Sequence, residues 1–275
     1  MSKIVGLKTV LEQMGPVAVA VSGGVDSMTL AYVAHRSNGK SRIFHALSPA
    51  VPEQATMRVK RYADREGWDL CLIDAGEILD PQYRANPANR CYFCKTNLYE
   101  TICGQVDLGV ISGTNMDDLA DYRPGLIAAG EHEVRHPYVE AGIDKSEVRN
   151  IARLLGLTDL QDLPAAPCLS SRVMTGIAID EKLLPVINAA EESLWQSLQR
   201  SISIKGVRCR IRPDEVAIEI DSQEDVDARS EYAREAIGIV TGLFEKHGYQ
   251  EYLRTVSVEP YRRGSAFLVE TLQVD

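Results

Sequence analysis

Two groups of residues in this chain have types and spacings suited to chemistry. The first is Ser22-Gly23-Gly24-Val25-Asp26-Ser27, which follows the uncharged, β-branched run Val17 to Val21. A buried strand that breaks into two glycines and restarts as a helix aims backbone N–H groups without intrahelical partners, and the positive end of a helix dipole, at one point. Gly23 and Gly24 let the backbone approach an anion closely, and Ser22 and Ser27 add hydroxyl donors, so the segment suits a phosphate. A tight strand-to-helix turn with a serine cap would use the same residues without any ligand. The second group is made of thiols: Cys91 and Cys94 form a C-x-x-C, and Cys168 follows Pro167 in a separate segment. Cys71 and Cys103 lie in apolar surroundings and read as small core residues. Six cysteines in 275 residues are too few and too dispersed for a disulfide scaffold.

The hexapeptide at 22–27 resembles the pyrophosphate loop of the ATP pyrophosphatase superfamily. That resemblance implies cleavage of ATP between its α and β phosphates, with AMP passed to a carboxylate or carbonyl oxygen. Asp26 would then help hold Mg²⁺ beside the polyphosphate. No Gly-x-x-x-x-Gly-Lys-Ser/Thr run is present, so γ-phosphate cleavage of the P-loop kind is not indicated.

The elements around these residues read as an α/β fold. Helical spacing over 4–14 is stopped by Gly15-Pro16; strands are expected at Val17 to Val21, Ile43 to Leu47, Leu70 to Ile73 and from Val110 to Ser112. Helices between them, from Asp26 to His35, Val51 to Glu66 and Cys91 to Cys103, give the alternation of a doubly wound, mostly parallel sheet. Ligands of such sheets sit beyond the strands' carboxyl ends, which brings Ala46, Leu47, Ser48, Gly113, Thr114 and Asn115 to a nucleotide. Ser48 equally suits the start of a turn. Residues 75–89 read as a long connection, and Arg123, among carboxylates, as an ion-pair partner or a phosphate-orienting group.

A helix from Lys145 to Leu155 ends the first domain, 1–160, and the proline-bearing stretch 159–167 is the linker. The second domain, 168–275, reads as smaller and α+β: a helix from about Asp180 to Gln199, a hairpin of Val207 to Ile211 with Val216 to Ile220, a helix from about Gln223 to His247, and a strand from Tyr252 to Val258 in a mostly antiparallel sheet. A net charge of −9 argues against a broad nucleic-acid footprint. No apolar run approaches the roughly 20 residues of a membrane span, so no membrane partner and a cytoplasmic location are expected.

Taken together, Ser22 to Ser27, Arg90 to Lys95, Gly113 to Asn115, Asp121 to Gly125 and Pro167 to Arg172 look like the LarE family of ATP-dependent sulfur transferases, over nearly the whole chain. The resemblance implies a PP-loop domain of the adenine nucleotide alpha hydrolase kind, a homohexamer, and a small-molecule nucleotide substrate. That substrate is pyridinium-3,5-biscarboxylate mononucleotide, converted to a thiocarboxylate on the route to the nickel-pincer cofactor. Cys91, Cys94 and Cys168 match the relatives whose three cysteines hold a [4Fe–4S] cluster. Lys95 would neutralise phosphate or acyl-adenylate charge; the family points also to Ser171 and Glu191 in the substrate pocket.

The anionic substrate calls for forked donors, for which Arg172, Arg208 and Arg210 are suited, the last two on one face of a strand. Each reading has a rival. Lys95 is also an ordinary solvated helical lysine, and paired arginines often line a solvated sheet. Zinc completed by His132 or His136 would make a closed structural site, and sacrifice of Cys168 would supply sulfur for one turnover. A tRNA thiolase, an ammonia-using amide synthetase and a nucleotide binder that does not cleave ATP share the phosphate turn.

Overall fold

The computed structural model describes residues 2–120, 123–165 and 167–262. Asp121 and Tyr122 of the Asp121 to Gly125 stretch, Ala166 of the linker and positions 263–275 of the second domain lie outside the described residues. The chain divides into two compact units, 1–83 with 89–166, and 84–88 with 167–275.

In the first unit the elements run α1 (Lys3–Met14), β1 (Val17–Ala20), α2 (Val25–Ser37), β2 (Arg42–Ala46), α3 (Glu53–Glu66), β3 (Asp69–Ile73), α4 (Pro81–Arg84, its last residue in the other unit), α5 (Arg90–Cys103), β4 (Gly109–Ser112), α6 (Pro124–Glu131), α7 (Pro137–Glu140), α8 (Lys145–Leu154) and α9 (Thr158–Gln161). The strands form one parallel sheet in the order β3-β2-β1-β4. Alternation along β1 decides which layer each side chain joins. Val17, Val19 and Val21 pack with Leu7, Leu11, Met28, Val148 and Leu160 on one face. Ala18 and Ala20 pack with Phe44, Tyr99, Ile102 and Ala129 on the other. Helices therefore cover both faces, and the order reverses between β1 and β4, which opens a crevice at their carboxyl ends.

In the second unit the elements are α10 (Leu183–Leu198), β5 (Ile204–Arg212), β6 (Glu215–Ser222), α11 (Glu231–Lys246) and β7 (Thr255–Pro260). β5 and β6 form an antiparallel hairpin, while β6 and β7 are parallel. The sheet is thus mixed rather than mostly antiparallel, because α11 crosses over between β6 and β7 and such a crossover brings strands back in parallel. α11 begins at Glu231 rather than near 223: the Ser230 hydroxyl caps it, accepting from Ala233 N at 3.2 Å. The segment before the cap is turned by Asp227, whose carboxylate accepts from Arg229 N at 2.9 Å. β7 starts at Thr255 because residues 250–252 form a 3₁₀ turn.

The connection 75–89 holds a 3₁₀ turn and α4, and its residues 84–88 join the second unit. Asn86 is fully buried at φ 53°, and its amide donates to the carbonyls of Met174 at 2.9 Å and Ile177 at 2.8 Å. Of the two cysteines read as core, Cys103 is exposed, and Cys71 is half-buried with Arg42 Nη2 donating to its sulfur at 2.8 Å. Cys209 is the buried one, on β5, where burial pushes its thiol far above the usual range. Among the described residues no helix is long and apolar enough to cross a membrane.

Candidate functional site

The turn at 22–27 is laced by its own serines. Ser22 N donates to Ser27 Oγ at 3.1 Å, the two hydroxyls lie 3.1 Å apart, and Ser27 Oγ donates to Gly24 O at 3.3 Å. Glycine is required at two places. Gly23 has φ +82°, and a Cβ there would come within 2.8 Å of the Ala55 carbonyl oxygen. A Cβ on Gly113, just past β4, would lie 2.8 Å from Ser27 N. The turns after β1 and β4 are thus packed backbone to backbone beside the start of α2, whose first N–H groups have no partner within the helix.

Asp26, in the first turn of α2, is held from three directions. Asn115 Nδ2 donates to Oδ1 at 3.2 Å, Lys145 Nζ forms an ion pair with Oδ2, and Tyr138 OH donates to the Asp26 carbonyl at 3.0 Å. Asn115 is almost fully buried, and its side-chain oxygen caps the 3₁₀ turn that follows, accepting from Asp117 N at 3.0 Å. Lys145 opens α8 behind the Asp144–Glu147 capping box. Sequence reasoning found that helix start but not the lysine's role, because its partner lies 119 positions away.

Other expected nucleotide residues follow the neighbouring strands. Leu47 N donates to Ile73 O at 2.7 Å, and Ser48 does open a turn, its hydroxyl accepting from Ala50 N at 3.0 Å. Ser112 Oγ lies 3.1 Å from Thr114 Oγ1 and 3.0 Å from His136 Nδ1. Burial lowers the His136 pKa, so this imidazole is neutral at pH 7. Arg123 pairs with Asp118 at 2.8 Å. On α5, Cys91 is exposed and Cys94 half-buried, one turn apart on one face. Lys95 Nζ stands 5.8 Å from the Tyr99 ring centroid, and a Cβ on Gly125 of α6 would lie 3.1 Å from its Cγ. The His132 ring lies tilted beside that of Tyr99, their centroids 6.1 Å apart.

The remaining expected residues lie in the second unit, Ser171, Arg172 and Arg210 buried and Cys168, Glu191 and Arg208 half-buried. Cys168, half-buried, precedes a 3₁₀ turn formed by Leu169–Arg172. Arg172 grips Glu191 of α10 with two parallel bonds, Nε to Oε1 at 2.9 Å and Nη2 to Oε2 at 2.8 Å. Its Nη1 donates to Pro167 O at 2.6 Å, and Glu191 Oε1 also accepts from Cys209 N at 3.0 Å. Burial opposes the Arg172 charge but Glu191 outweighs it and raises the pKa. Arg210 donates to Glu219 Oε2 at 2.9 Å and to Ser171 O at 2.7 Å. Arg208 lies 3.9 Å from Glu191 Oε2; burial and then Arg172 lower its pKa. Among the described residues of either unit, no three His, Cys, Asp or Glu side chains gather as a metal site.

No family model matches the chain. It is 35% identical over 268 residues to an uncharacterized protein of Synechocystis sp., covering 96% of each chain. It is 27% identical over 220 residues to the pyridinium-3,5-bisthiocarboxylic acid mononucleotide synthase of Lactiplantibacillus plantarum, covering 78% of each. A probable tRNA sulfurtransferase of Methanothermobacter thermautotrophicus is 24% identical over 169 residues, 56% of this chain and 43% of that one.

Proposed function

The chain belongs to one family with the uncharacterized Synechocystis protein, and we propose that it is an ATP-dependent sulfur transferase of the PP-loop type acting on pyridinium-3,5-biscarboxylate mononucleotide. A substrate carboxylate oxygen attacks the α-phosphorus of ATP, pyrophosphate leaves, and the acyl-adenylate then yields a thiocarboxylate and AMP when sulfide displaces the adenylyl oxygen. Activation is needed because a bare carboxylate would have to expel oxide.

One observation carries this reading: the serine-laced turn at the β1–β4 reversal, where Gly23 and Gly113 leave no space for a Cβ. It suits departing pyrophosphate, whose charge the α2 N–H groups and helix dipole would meet. Asp26 would hold Mg²⁺, with Lys145 beside it as a second cation for the polyphosphate. Ala46 to Ser48 and Gly113 to Asn115 would line the nucleoside, and Arg123 and Lys95 would meet phosphate charge. Arg172, Arg208 and Arg210 would be the forked donors of the substrate pocket, with Ser171 and Glu191 lining it, and the bonds of Arg172 to Glu191 and of Arg210 to Glu219 would hold two of those donors in place. The similarity to the Lactiplantibacillus synthase supports the choice of substrate class.

Cys91, Cys94 and Cys168 are the residues that would hold a [4Fe–4S] cluster. Thiols are the soft donors such a group takes, and Cys91 and Cys94 stand a helical turn apart. Such a group would carry the sulfur to be transferred.

The test is anaerobic incubation with ATP, Mg²⁺, sulfide and the pyridinium dicarboxylate mononucleotide, followed by mass spectrometry. A carboxyl oxygen replaced by sulfur, with one AMP released per replacement, is the expected result. The similarity to a tRNA sulfurtransferase supports the second reading, thiolation of tRNA. Retarded migration of bulk tRNA with the protein, and no thiocarboxylate, would favour it.

A further inference from the structure

We propose that Arg58 is an additional anion-binding residue of the phosphate turn, serving the β- and γ-phosphates of ATP; this rests on the nucleotide reading of that turn given above. Arg58 stands on α3, and α3 is fixed to the turn at three points. Ala55 occupies the space where a Gly23 side chain would be. Thr56 Oγ1 lies 2.9 Å from His45 Nε2, whose Nδ1 is 2.8 Å from the carbonyl oxygen of Val21, the residue before the turn. Arg58 Nη1 itself donates to the Gly23 carbonyl at 2.8 Å. The guanidinium is therefore anchored on the turn rather than swinging over the surface.

Its charge has no counter-charge of its own. Among the described residues Arg58 makes no ion pair. The acid that acts on it, Asp159, is already engaged by Arg61 Nη2 and Tyr62 OH, each at 2.6 Å. Burial lowers the Arg58 pKa, and the like charge of Arg61 lowers it further. A half-buried guanidinium with five N–H donors, bound to a backbone carbonyl and set beside a cation, is costly until an anion arrives. The turn carrying that carbonyl also offers the N–H groups of Val25 to Ser27. A polyphosphate seated there meets the backbone at one phosphate and the arginine fork at the next. AMP, with one phosphate, does not reach the fork.

Calorimetric titration of the full chain with Mg-pyrophosphate, Mg-ATP and AMP tests this. Arg58→Met is expected to weaken pyrophosphate and ATP by about tenfold to a hundredfold, the scale of lost charge-assisted hydrogen bonds, with AMP affinity unchanged. Arg58→Lys, which keeps the charge and loses the fork, should recover part of that affinity and guards against a folding defect in the methionine variant. Unchanged pyrophosphate binding in Arg58→Met would overturn the assignment. So would an equal loss for AMP, which would make Arg58 a prop for the turn. If the unaltered chain binds AMP but not pyrophosphate, the phosphate reading of the turn fails and this one with it. Sulfur transfer that fails while pyrophosphate binding persists counts against the proposed reaction alone.

Discussion

The two units handle charge in opposite ways. In the first, two glycines let the turns pack closely beside the start of α2, and the nearby acid, Asp26, is only half-buried and held by one amide and one amine. In the second, Arg172 and Arg210 are nearly fully buried and each is already matched, to Glu191 and Glu219. On the nucleotide reading proposed above, the first arrangement would keep its electrostatic capacity for an arriving phosphate. The second uses its charge internally, each of these arginines being matched to a carboxylate of the same unit, and Arg208 lies 3.9 Å from Glu191.

That contrast is open to attack by substitution. Arg172→Met strands a buried carboxylate and should lower stability by about 3–5 kcal/mol, read by urea unfolding. A double variant that also replaces Glu191 with Met should recover much of the loss, and a single variant as stable as the parent would show that the pair is not buried in solution. Gly113→Ala, which places a methyl against Ser27 N, should cost about 1–3 kcal/mol of strain. Here the loss should appear in ATP binding as well as in melting temperature. Asp26→Asn removes a half-exposed pair, so stability should change by less than about 1 kcal/mol while the Mg²⁺ dependence of ATP binding disappears. A large stability loss there would place Asp26 with the second unit's buried pairs.

The smallest effect expected is one of pH. Burial lowers the pKa of both His45 and His136, so each is neutral in the fold. The unfolded chain binds protons near the ordinary imidazole pKa of about 6.5, so stability contributed by these two is present above that pH and falls as pH drops below it. Chemical denaturation at stepped pH values, repeated with His45→Gln, should show a shallower decline in the variant.

What was legible in the sequence was local. The strands of the parallel sheet announced themselves as short apolar runs, and the glycine turn as a break in one of them, because strand, turn and helix start are each set by near neighbours. The Lys145–Asp26 pair and the anchoring of Arg58 on Gly23 have no local sign, since each joins elements brought together by the sheet order. The excursion of 84–88 into the second unit was illegible for the same reason, as Asn86 finds its carbonyl partners almost ninety positions later. The direction of β7 could have been deduced: a helix between two strands implies a parallel return. Cys103 was misjudged from apolar neighbours in sequence that are not its neighbours in space.

The central claim is that ATP activates a carboxylate by adenylylation before sulfur arrives. It is tested most directly with a substrate whose carboxylate oxygens carry heavy isotope, followed by mass analysis of the AMP released. Adenylylation leaves one carboxylate oxygen on phosphorus when sulfide displaces AMP, so each AMP should carry one labelled oxygen and appear in step with thiocarboxylate. Unlabelled AMP, or ADP in its place, would contradict the account.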